Sequence, residues 1–144
     1  MISFEVHQAA GKAVGRILWK RWFAAIERGA KIRKKVSVSV AVVGDAEMKR
    51  LNRTYRGKNS ITDVLSFGER DGERTPNAEQ GYLGEIIICY PQAVRQAKEL
   101  SHSVEDEMAW LVTHGFLHLL GHDHERPGEA RVMQGLEKKI LFRA

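Results

Sequence analysis

The sequence predicts an α+β domain: a mixed sheet of about four strands with helices packed on it, most of them toward the C-terminal end. Two patterns carry this expectation. Short apolar runs with a two-residue period or β-branched composition recur before residue 90. Between and after them lie stretches with apolar residues at helical spacing, giving the order β-α-β-α-β-β-α-α-α. Length supplies a third observation. The 144 residues suit one domain, 1–144, large enough to bury about 68–70% of its extended surface around a single core.

Each element has a local cause. Ile2, Phe4 and Val6 alternate as in a strand. Over residues 12–27, Val14, Ile17, Leu18, Phe23 and Ile26 recur at helical spacing, and Gly29 follows as a stop. Val36-Ser37-Val38-Ser39-Val40 is the clearest strand in the chain. Asp45 is placed to cap a short helix over 45–55 that contains Met48 and Leu51. Residues 64–67 read as a strand, 68–81 as a polar, exposed connection containing Pro76, and 82–89 as the last strand. Pro91 suits the first turn of a helix ending near residue 100. Ser103 can cap the next helix, with Asp106 completing a start like a capping box. That helix carries Met108, Val112, Phe116, Leu119 and Leu120 around most of its circumference, so burial is expected. A terminal helix over 129–142 completes the order.

Composition narrows the setting. No apolar run reaches transmembrane length, and no charged-then-apolar leader precedes a cleavage site. Cys89 is the lone cysteine, which rules out an internal disulfide and fits a reducing cytoplasm; at the end of an Ile-Ile-Ile run it reads as a small buried hydrophobe. Charge is divided unevenly. Residues 1–61 hold 14 Lys/Arg against 4 Asp/Glu, a net +10, whereas residues 62–144 hold 9 against 14, a net −5. Such asymmetry points to a polyanionic partner, with RNA or DNA the natural candidates.

The densest chemistry lies in HGFLHLLGHDH, residues 114–124. His114 and His118 stand one helical turn apart on one face and can bind one metal together. Gly121 is placed where a helix ends in a left-handed residue, so that a turn brings His124 to the same ion. Three neutral imidazoles leave a tetrahedral position open to water, the mark of catalytic rather than structural zinc. The spacing matches the metzincin string HExxHxxGxxH at every fixed place but one, where Gly115 replaces the glutamate base. At about 100° per residue, Glu107, Leu111, His114 and His118 share one stripe.

Beyond the histidines, the run LNRTYRGKNSITDVLSFG (51–68), then LGEIIIC (83–89), then HGFLHLLGHDH resembles the YbeY family of metal-dependent bacterial endoribonucleases over nearly the whole chain. The resemblance implies one zinc ion held by His114, His118 and His124. It also implies endonuclease cleavage of single-stranded RNA, maturation of the 16S ribosomal RNA 3′ end, and a role with the small ribosomal subunit in ribosome quality control. It makes Arg56 a functional residue of the cleft. The chain departs from the family pattern at Glu85, where aspartate is more usual, and at Gly68, where proline is common.

The residues suggest how such chemistry would be divided. Zinc on three imidazoles lowers the pKa of bound water from about 15.7 toward about 7. His114 thereby enters both the metal and the catalytic set. Arg56 is the expected cation for the phosphate, since a guanidinium pairs with it through two hydrogen bonds. Asp123 is a candidate second carboxylate orienting a histidine, and His122 a candidate proton shuttle. Asp63 reads chiefly as a turn residue, His7 and His102 as structural, and Trp19, Trp22 and Trp110 as core. Two alternatives remain open on sequence. One is a ribosome assembly factor whose metal is mainly structural; the other is a protease-like zinc hydrolase, against which Gly115 counts. Three histidines suit zinc but also nickel.

Overall fold

The computed structural model describes residues 1–68, 81–122 and 127–141. The polar connection expected over 68–81 lies outside them except at its two end glycines. Among the described residues the order is β1 (Ile2–Gln8), α1 (Arg16–Gly29), β2 (Val36–Val43), α2 (Asp45–Arg56), β3 (Val64–Gly68), β4 (Tyr82–Cys89), α3 (Tyr90–Glu99), α4 (Val104–Leu119) and α5 (Pro127–Leu141). This is the predicted single-domain α+β order, element for element.

The four strands form one mixed sheet in the order β1-β2-β4-β3. β1, β2 and β4 run parallel, joined through crossovers that carry helices, while β3 is an antiparallel edge on β4. Phe67 and Ser39 therefore flank Glu85, and Leu65 faces Ile87. One sheet face buries Val38, Val40, Val42, Ile86 and Ile88 against α1 and α4, with Trp19, Phe23, Met108, Leu111 and Phe116 filling the space between. The other is covered by α2, whose Met48 packs with Val43, Leu65, Ile87 and Cys89.

Two local expectations are corrected. Gly44, not Asp45, occupies the cap of α2, with no side-chain cap. Asp45 instead sends its carboxylate to the Arg95 guanidinium, 2.7 Å away, which holds its pKa below the usual carboxylate value. Gly29 is the last residue of α1 and not its left-handed stop: Ala30 is the C-cap and Lys31 takes the positive φ (55°), while a Cβ at Gly29 would lie 2.3 Å from Cγ1 of Ile140, so the missing side chain lets α5 approach. His7 is exposed on β1 and fills no core position. Ser103 does cap α4, accepting from the Asp106 amide at 3.0 Å. Trp19 and Trp22 are buried in the core as expected.

Candidate active site

In the last two turns of α4 the burial pattern breaks at the histidines. Gly115, Phe116, Leu117 and Leu119 are buried, whereas His114 and His118 are half-buried. Both line a cleft of about 510 Å³. After Leu120 the amide of Gly121 bonds the carbonyl of His118 (3.0 Å) and the amide of His122 that of Leu117 (3.1 Å), with Gly121 at φ +103°. That pair of bonds is a Schellman end and turns the chain back, as the glycine predicted. His124 and Asp123 lie outside the described residues, and among the described residues no group of three ligating side chains occurs.

Arg56 reaches the same cleft from the end of α2. Gly57, at φ +70°, turns the chain there, and buried Asn52 donates to the Ser60 carbonyl at 2.9 Å, holding the returning loop. The Arg56 Nη2 donates to the Ser66 carbonyl at 2.8 Å, and its guanidinium lies 4.7 Å from the centre of the Phe67 ring. Among the described residues β3 pairs on one side only, with β4, and Arg56 engages a backbone carbonyl of this strand, which lines the cleft. Lys58 lies on the same lining and adds positive charge.

His114 is held from both sides. Its Nδ1 lies 3.0 Å from Oε2 of Glu137 on α5, a carboxylate only 5% exposed. The Trp110 indole stacks on the imidazole at 5.2 Å and 28°. Trp110 is therefore half-buried beside the site and not simply core. Glu137 was missed in the sequence because 23 residues separate it from His114. A signal was present: Met133, Glu137 and Ile140 share one helical stripe and are all buried, so the acid stands on the core face of α5.

Among the described residues, Asp63 is the carboxylate lining the cleft. Its Oδ1 accepts from the Val64 amide at 2.8 Å and its Oδ2 from Gln96 at 3.2 Å. Gln96 also donates to buried Glu107 at 2.7 Å, whose other oxygen meets His102 at 2.7 Å. His102 is structural, as expected, and Asp63 both fixes the start of β3 and forms cleft wall. Glu85 is not on that wall; it stands on β4 between Ser39 and Phe67, where burial pushes its carboxyl above the usual value.

Gly115 acquires a physical reason. A Cβ at this position would lie 2.8 Å from Cγ2 of Ile86 and 3.0 Å from Oγ of Ser66, and the Ser66 hydroxyl donates to the Gly115 carbonyl at 3.0 Å. Position 115 is pressed on the sheet, so a glutamate there would be driven into β3 and β4.

The profile of the family described as Endoribonuclease YbeY matches residues 3–144. The chain belongs to the YbeY family. Endoribonuclease YbeY of Roseiflexus castenholzii is 41% identical over 145 aligned residues, covering 98% of this chain and 91% of the relative. The Myxococcus xanthus protein of the same name is 40% identical over 97% of this chain and 47% of its own length. The solution structure of TM1509 from Thermotoga maritima is similar with a TM-score of 0.66 and 29% identity, covering 98% of this chain and 88% of that one. The match spans every element that builds the cleft.

Proposed function

We propose that this endoribonuclease is zinc-dependent, cuts single-stranded RNA, and acts in the cytoplasm on ribosomal RNA. In this reading it matures the 16S 3′ end and serves ribosome quality control with the small subunit. The observation that carries the metal reading is the cleft in which two histidines of α4 and Arg56 of α2 meet. The donor set fits one ion: His114 and His118 lie one turn apart on a shared wall, and His114 already has its Nδ1 engaged by a carboxylate, leaving Nε2 as the nitrogen a metal would take. His124 is the third ligand in this reading. When bound, zinc supplies Lewis-acid charge and an acidified water.

The chain's own groups account for binding and orientation. Arg56, anchored through Ser66 and Phe67, presents a planar cation whose direction is fixed before substrate arrives, so little reorganisation is needed as charge builds on the phosphate. Lys58 adds a second positive charge to the lining, and α2 carries the further exposed cations Lys49 and Arg53. Asp63 accepts hydrogen bonds at both oxygens and holds the wall in place. A peptide-hydrolase reading loses its base at Gly115 for a steric reason, independent of substrate.

The test is RNA cleavage by purified protein. Cleavage of a single-stranded ribosomal RNA fragment should vanish with chelator, return with zinc, and be absent in His114→Ala. Full activity from metal-free protein would refute the proposal. A substrate with 2′-deoxyribose at the scissile position separates attack by water from attack by the RNA's own hydroxyl, since only the second must fail.

A further inference from the structure

We infer that Glu137 is a positioning residue of the metal site: from α5 it fixes the tautomer and ring direction of His114. The inference rests on the metal reading above and concerns a residue that sequence reasoning had not singled out. Three observations carry it. Glu137 is buried, and a buried carboxylate is retained only where it has a partner; here the partner is Nδ1 of His114 at 3.0 Å. The neutral imidazole carries one N–H, and a carboxylate oxygen at Nδ1 draws the proton to that nitrogen, making Nε2 the lone-pair donor. Trp110 stacks along the ring, so the imidazole is limited in tilt by the indole and in rotation by the carboxylate.

The arrangement also spans the fold. His114 lines the cleft on one side and, on the other, a hollow of about 370 Å³ shared with Trp110, Met133 and Glu137. The histidine is thus the partition between substrate cleft and terminal helix, and Glu137 acts on the cleft only through it. Loss of such an outer carboxylate weakens metal binding by about 10–100-fold.

Zinc affinity, measured by competition with a chromophoric chelator, provides the test, with nitrogen chemical shifts of the His114 ring in metal-free protein as a second readout. Glu137→Ala should bind zinc about 10–100-fold more weakly. In metal-free protein its ring should shift away from the Nδ1–H form. Glu137→Gln keeps the volume and an acceptor oxygen, so it should fold as the parent does, retain the Nδ1–H form, and lose less affinity. If Glu137→Ala fails to fold, Glu137→Leu, which fills the space but offers no acceptor, decides in its place. Parent-like affinity in the folded variant would overturn the inference, as would an unchanged Nδ1–H fraction in folded Glu137→Ala. Parent protein that binds no zinc would instead sink the metal reading itself.

Discussion

Arg56 shows how one side chain can be prepared by its surroundings. Its guanidinium is tied to a strand carbonyl and laid across an aromatic ring, two contacts a lysine ammonium cannot make in the same geometry. Arg56→Ala should lower kcat on RNA by about 10²–10³-fold, the usual loss on removing one preorganised donor. Arg56→Lys should recover only part of it. Steady-state kinetics check both, and an alanine variant with parent-like kcat would remove Arg56 from the reaction. Sequence alone identified Arg56 through its family-like motif. It could not reveal the anchoring, because Ser66 and Phe67 reach the arginine only through the fold. Cys89 was legible: it is fully buried, and burial pushes its thiol up to about 11, leaving it inert near neutral pH.

At the scale of elements, α4 and the edge strand are pressed together at Gly115. Ala would gain about 1 kcal/mol of helix propensity. Against this, its Cβ would meet Ile86 and Ser66 inside normal contact, and overpacking of that kind costs about 1–3 kcal/mol. Gly115→Ala should therefore lower the urea midpoint without changing the slope, and a higher midpoint would contradict the close approach. The helical periods, the Ser103 cap and the Gly121 stop were readable because each depends on neighbours in sequence. The strand order, the Asp45–Arg95 pair and the seat of Gly29 against Ile140 were not, since they join residues far apart in the chain. In the sequence, the missing glutamate at position 115 counts against a protease-like hydrolase. The packing makes it first a statement about how closely helix and sheet approach.

For the whole molecule, the sheet's unequal covering leaves Glu85 half-buried, and desolvation raises its pKa. The sign follows from linkage. Well below the ordinary value of 4.5 the carboxyl is protonated folded or unfolded and costs nothing. As pH rises past that value, the unfolded chain releases the proton more readily, so the folded state loses stability. Glu85→Gln should raise Tm at neutral pH, and the gain should shrink in acid. Thermal melts across pH measure it, and a pH-independent difference would contradict the burial argument. The predicted fold class and element order needed only local patterns; the cleft itself required the topology that sets β3 beside α4.

The contact between Glu137 and His114 also has a consequence in time. During synthesis the sheet, Arg56 and both histidines of α4 leave the ribosome before α5 does. Until that helix docks against α1 and α4, the contact of Glu137 with the His114 ring cannot form. A nuclease whose substrate is RNA is made on a machine built of RNA, and under the reading proposed above its site takes its final form only once α5 has been made.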